Sequence, residues 1–192
     1  MKKILVSLSS LLIFSMLLCG CAKNVEFSAA TVKDDIEELT LILQDGETQL
    51  LDSLPVLKSA DFSGSECYEE IYNWAKANPD VAVTYTLTLP DGTVVDNSCS
   101  SLDLSNMDAG SYEECIKLMA YLPDLEEVKL SEKEAVSAED FALIFSAYPE
   151  LNYSVSFKIH GQKFNLDETS LDMTGISAED VEEFCIVLPA MN

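Results

Sequence analysis

The sequence predicts an α/β fold: a stacked array of strand-plus-helix units, with a parallel sheet on one face, helices on the other and two β-hairpin excursions. Three observations predict it. Segments recur at an offset of about 70 residues, short apolar strand candidates recur roughly every 19 to 25 residues, and most of the gaps between them carry a helix signal. A compact α+β domain with incidental repetition is the alternative.

The duplication is visible by eye. Asn78-Pro79-Asp80-Val81-Ala82-Val83-Thr84-Tyr85-Thr86-Leu87 has its counterpart in Tyr148-Pro149-Glu150-Leu151-Asn152-Tyr153-Ser154-Val155-Ser156-Phe157. A turn follows each, then Ser101-Leu102-Asp103-Leu104 or Ser170-Leu171-Asp172-Met173, then Glu113-Glu114-Cys115 or Glu182-Glu183-Phe184. Leu54-Pro55-Val56-Leu57 likewise matches Leu122-Pro123-Asp124-Leu125.

Strand candidates centre near Thr40, Ala60, Val83, Asp103, Val128, Tyr153 and Asp172. Two of them alternate strictly. Val81, Val83, Tyr85, Leu87 and Leu89 share one face, against Ala82, Thr84, Thr86 and Thr88 on the other. Tyr153, Val155, Phe157 and Ile159 oppose Ser154, Ser156 and Lys158 in the same way. A period of two marks a half-buried strand.

Helices are expected from Ser65 to Ala77, with Tyr68, Ile71, Trp74 and Ala75 on one stripe, and from Ser111 to Tyr121, with Cys115, Leu118 and Met119 together. Ser137 and Ser177 each open a Ser-Ala-Glu-Asp run, an N-cap followed by first-turn acids. Pro90-Asp91-Gly92 and His160-Gly161-Gln162 mark hairpin turns instead of helices.

On Leu122-Pro123-Asp124-Leu125-Glu126-Glu127-Val128-Lys129-Leu130 and Ser101-Leu102-Asp103-Leu104-Ser105 the chain resembles the irregular leucine-rich-repeat proteins of bacterial cell surfaces, over roughly Leu39 to Asn192. The regular Asn that follows the strand in that family is missing, and unit lengths vary. The resemblance implies a leucine-rich-repeat-like solenoid across residues 35–192 whose outward strand residues form one open binding face. The expected face comprises Asp61, Thr84, Thr86, Asp103, Glu127, Lys129, Ser154, Ser156, Lys158 and Asp172. It is polar, mixed in charge and rich in hydroxyls, which suits a protein or glycan partner. Leu188-Pro189-Ala190-Met191-Asn192 begins like another unit, either a degenerate cap or an array incomplete at that point.

The N-terminus carries a different signal. Met1-Lys2-Lys3 precedes an apolar run from Ile4 to Leu18, too short to span a bilayer as a helix, and then Leu18-Cys19-Gly20-Cys21. These four residues resemble the lipobox of bacterial lipoproteins, with Cys19 in place of the commoner Ala or Ser. The resemblance implies a signal peptide over residues 1–20, cleavage before Cys21 and diacylglycerol on its thiol. Two acyl chains anchor a protein stably. Residues 21–34 are then a lipidated cysteine and flexible tether, and the protein is extracytoplasmic on a cell membrane or outer membrane. Ala22, where an Asp is absent, favours the outer membrane in a cell that has one.

Composition excludes one class of partner. The chain has 11 basic and 34 acidic residues, and loss of residues 1–20 takes it from −23 to −25. Every basic residue is lysine. Nucleic-acid binding needs the opposite charge. Catalytic constellations are also missing. His160, the single histidine, sits beside a turn glycine with no nucleophile motif near it. Cys67, Cys99, Cys115 and Cys185 have no Cys-x-x-Cys spacing for zinc; they are read as buried thiols, though an extracytoplasmic protein permits a disulfide. Asp34-Asp35 with Glu37-Glu38, and Asp167-Glu168, fit no calcium-loop pattern. No metal, cofactor or enzyme activity is expected. The competing expectations are an accessory or spacer lipoprotein without a ligand face and, behind it, an envelope hydrolase.

Overall fold

The computed structural model describes residues 22–130, 136–159, 162–166, 174–175 and 177–191. The fold is mixed α/β, and among the described residues it has two three-stranded parallel sheets, three two-stranded antiparallel hairpins and helices between. Cys21, His160, Asp172 and the Asp167-Glu168 pair lie outside the described residues.

The first parallel sheet joins β3 (Glu38–Thr40), β4 (Ser59–Asp61) and β5 (Ala82–Thr84) in chain order. The second joins β8 (Ser101–Asp103), β9 (Glu127–Lys129) and β10 (Asn152–Ser154), again in chain order. Six expected strand centres thus fall in six strands. The second set repeats the first at offsets of 63, 68 and 70 residues for successive strands, the last with Asn152 at the start of β10 against Ala82 at the start of β5.

One set of backbone bonds recurs at every step. Just past each strand, an amide donates to the last carbonyl of the next strand: Leu41 to Asp61 (3.0 Å), Phe62 to Thr84, Leu104 to Lys129 and Leu130 to Ser154 (each 2.8 Å). Just before β4, β5, β9 and β10 a proline turn closes from residue four back to residue one: Leu57 to Leu54 (3.2 Å), Val81 to Asn78 (3.0 Å), Leu125 to Leu122 (3.2 Å) and Leu151 to Tyr148 (3.3 Å). Met191 closes the same turn on Leu188 at 3.1 Å. Pro55, Pro79, Pro123, Pro149 and Pro189 all occupy the second position, where the ring supplies the required φ. At Asn78 and Tyr148 the proline also ends the preceding helix, because a residue before proline is pushed out of the α region.

The returns from strand to strand differ. A 3₁₀ segment, Thr48–Ser53, links β3 to β4, and α1 (Tyr68–Ala77) links β4 to β5. In the second half α2 (Tyr112–Met119) and α3 (Ala138–Ala147) play these parts, and α4 (Ala178–Val187) packs beside α3. Both expected stripes are turned inward: Ile71, Cys115 and Met119 are buried, with Trp74 and Leu118 packed at the margin, and on α3 Phe141 and Ile144 are buried as well. Ser137 caps α3 as expected, its Oγ accepting the Asp140 N–H at 3.0 Å.

The core is one continuous cluster. Leu39 aligns with Ala60 and Val83, and Leu102 with Val128 and Tyr153, beneath a second row of Leu41, Phe62 and Tyr85, then Leu104, Leu130 and Val155. Tyr85 joins the two halves: its hydroxyl donates to the Tyr121 carbonyl at 2.6 Å.

Three expectations require correction. The alternating run from Val81 to Leu89 is one stretch of extended chain but two strands. β5 joins the parallel sheet, whereas β6 (Thr86–Thr88) turns into a hairpin with β7 (Val94–Asp96) about Gly92, which has φ 85°. The run through Val155 divides likewise between β10 and β11 (Ser156–Ile159), which pairs with β12 (Gln162–Asn165). Thr86, Ser156 and Lys158 therefore belong to hairpins and not to the parallel sheets. Secondly, Ser156 is buried at 2 % exposure, its hydroxyl 2.7 Å from Asn165 Oδ1. Thirdly, the segment expected as a flexible tether is folded within residues 22–34: β1 (Asn24–Glu26) pairs antiparallel with β2 (Thr31–Lys33), and Val25 and Phe27 enter the core.

Candidate functional site

Alternation puts the central residue of each parallel strand in the core and the two flanking residues outside. The register then sets exposed side chains in rows. In the first sheet Glu38, Ser59 and Ala82 form one row, and Thr40, Asp61 and Thr84 the other. In the second, Ser101, Glu127 and Asn152 lie beside Asp103, Lys129 and Ser154. Six residues of the expected face are thus gathered on the sheets: Asp61 and Thr84 on the first, and Asp103, Glu127, Lys129 and Ser154 on the second. Glu38, Thr40, Ser59, Ala82, Ser101 and Asn152 complete the rows. The same alternation carries them, but only the strand register places them beside the others.

Both aspartates are locally braced. Asp61 Oδ1 accepts the Ser63 N–H at 3.0 Å, and Asp103 Oδ1 accepts the Ser105 N–H at 2.9 Å. Hydrogen bonds from the Ser63 hydroxyl and amide hold the Asp61 carboxyl below its ordinary value. Ser105 does the same for Asp103, with the Lys129 ammonium adding to the effect. Both are therefore ionised and fixed in direction. Ser101 Oγ donates to Glu127 Oε2 at 3.3 Å, and Thr84 Oγ1 to the Ala60 carbonyl at 3.4 Å. Thr86, although on a hairpin, remains close to the first sheet, where its Oγ1 accepts the Gly64 N–H at 3.2 Å.

The two sheets do not merge into one. At the outer edge of β5, the place of a further strand is taken by Asn97. Its Oδ1 accepts the Tyr85 N–H at 3.0 Å, its Nδ2 donates to the Val83 carbonyl at 3.3 Å, and its own N–H bonds the Tyr85 carbonyl at 2.9 Å. An amide side chain that both donates and accepts can stand in for a strand's backbone. The face is therefore two patches of related construction.

Beside β10 a groove of about 480 Å³ is lined by Tyr153, Ser154, Ser156, Lys163 and Asn165 among others. Sequence reasoning expected no pocket and missed Lys163 and Asn165, because both arrive on the return strand of a hairpin. The groove offers hydroxyl, amide and ammonium groups. Among the described residues no group of three or more His, Cys, Asp or Glu side chains is placed to hold a metal ion. Cys67, Cys99, Cys115 and Cys185 are free thiols; Cys115 is buried, as expected, and Cys67 with it, Cys99 is half-buried, and Cys185, expected to be buried, is exposed. Among the described residues no helix is long and apolar enough to cross a membrane. Compared with protein-family models, with curated proteins and with solved structures, the chain finds no match.

Proposed function

We propose that this protein is a lipid-anchored, non-enzymatic binding module: a leucine-rich-repeat-like solenoid, tethered through diacylglycerol on Cys21 to the outer surface of a cell membrane or outer membrane, whose sheet face contacts another protein or a glycan of the envelope. The observation that carries this reading is the recurrence of one backbone bonding scheme at four steps, two in each parallel sheet. A structure built of such steps presents outward strand residues in ordered rows, which serves recognition by an extended surface. The rows mix carboxylates, a lysine, hydroxyls and an amide, a composition suited to a polar macromolecular partner. The lipobox resemblance at Leu18-Cys19-Gly20-Cys21 supplies the anchor in this reading.

The test is capture on beads carrying residues 22–192, from solubilised envelope proteins and cell-wall glycans, at low and high salt. The control exchanges the charges at the two outward positions of β9, Glu127→Lys with Lys129→Glu. A partner held at both salt concentrations and lost on reversal is the expected result. Retention only at low salt and indifferent to the reversal would reduce the interaction to unspecific charge and leave a spacer in place of a binding module.

A further inference from the structure

The segment between the anchor and the domain has no slack. Cys21 is followed by Ala22 and Lys23, and Lys23 is already fixed. Its N–H donates to Asp34 Oδ1 at 2.8 Å, and its carbonyl accepts the Asp34 N–H at 2.9 Å. Asn24 then pairs with Lys33 as the first rung of the β1–β2 hairpin. Two residues of fully extended chain reach only about 7 Å.

The hairpin is itself held to the core. Val25 and Phe27 are 8 % and 6 % exposed, and Val32 and Ile36 pack against the same cluster. At its turn the Ser28 N–H donates to Glu47 Oε1 at 2.5 Å, while Glu47 Oε2 takes the Gln44 N–H at 2.9 Å. Glu47 is a buried carboxylate and serves as the latch between the hairpin and the start of the 3₁₀ segment.

Charge distinguishes this end. The mature chain carries −25, which an anionic lipid surface repels. At the open end of the hairpin, exposed Lys23 and Lys33 match Asp34 and Asp35 in number, so these four residues sum to no net charge.

We propose that the β1–β2 hairpin is a rigid foot on a lipid surface: acyl chains on Cys21 hold its open end at the headgroups and fix the orientation of the whole domain, which presents the sheet face at a set height. This rests on the reading of Cys21 as the lipidated residue.

Trp74, the single tryptophan, reports the height. Its ring is set by the bond from Nε1 to Asp52 Oδ1 at 3.0 Å and by edge contact with Phe62. It lies on α1, which packs on the 3₁₀ segment that in turn packs on β1, two layers or about 20 Å from the foot. The full-length lipidated protein is reconstituted into phosphatidylcholine–phosphatidylglycerol vesicles bearing dansyl headgroups, and energy transfer from Trp74 is measured. A twelve-residue Gly/Ser insertion between Ala22 and Lys23 adds a coil of about 20 Å and leaves the fold intact. Measurable transfer in the native protein, falling at least threefold on insertion, is expected. Equal transfer in both, or none in the native protein, overturns the foot. The mass of the N-terminal peptide is read on the same samples. A diacylglyceryl adduct with unchanged transfer removes the foot alone, whereas no adduct removes the anchor as well.

Discussion

Asn97 offers the sharpest test of how the two sheets are kept apart. Asn97→Ala deletes the acceptor for the Tyr85 N–H and the donor to the Val83 carbonyl. Tyr85 is 1 % exposed, so water reaches its amide poorly once the partner is gone. A net hydrogen bond contributes about 0.5–1.5 kcal/mol, and a buried amide left unpaired costs about 1–3 kcal/mol. The 3.3 Å bond to Val83 is the weaker of the pair, and the backbone bond from the Asn97 N–H survives. A loss of about 2 kcal/mol follows, or about 4–8 °C in Tm for a domain of this size. Asn97→Asp separates the two bonds. It keeps the acceptor for Tyr85 but sets a carboxylate oxygen against the Val83 carbonyl, so it is destabilised at pH 7 and recovers in acid, where a protonated carboxyl donates again. Urea unfolding followed by Trp74 fluorescence and far-UV circular dichroism measures both. An Asn97→Ala protein within 0.5 kcal/mol of the native one, or an Asn97→Asp protein as stable as native at pH 7, would refute the account of the β5 edge.

Three further outcomes are expected. Leu130, fully buried beneath the second sheet, should cost about 2–5 kcal/mol on change to Ala, against less than about 0.5 kcal/mol for Glu127→Ala three residues earlier on the exposed face; similar losses at both would reverse the assigned faces. Burial pushes the Cys115 thiol up to about 12, so an aromatic disulfide reagent at pH 8 should label exposed Cys185 first and Cys115 only with unfolding; equal native rates would contradict the packing of α2. Backbone N–H groups of Gln44 and Ser28 hold the Glu47 carboxyl below its ordinary value. A carboxyl lowered by folding stabilises above its unfolded pKa, and that contribution is lost as pH falls through the folded one. The drop in urea midpoint between pH 6 and pH 3 should therefore shrink in Glu47→Gln, and an undiminished drop would remove Glu47 as the latch.

Much of the local architecture is legible in the residues themselves. Prolines at one position in each turn, apolar centres of short strands, inward helix stripes and the Ser137 cap each act within a few positions of the chain, where side-chain type governs backbone choice directly. The exposed rows on β4, β5, β8, β9 and β10 follow from the same alternation. Lys163 and Asn165 do not, because they meet Tyr153 and Ser154 only through the pairing of β11 with β12.

By itself, then, the sequence determined the unit: its length, its turns, its inward and outward faces, and the duplication of the whole. Tertiary structure alone decided which strand each strand would meet. Alternation from Val81 to Leu89 is the same whether the neighbour is a parallel strand or the return arm of a hairpin, so the break at Tyr85 and the closing role of Asn97 leave no mark in periodicity. Ser156 has the side chain of a surface position, and only Asn165 opposite makes its burial tolerable. Residues 22–34 have the polar composition of a tether. They fold because Val25 and Phe27 bury in the core and the carboxylate of Glu47, 19 residues on from Ser28, accepts the Ser28 N–H.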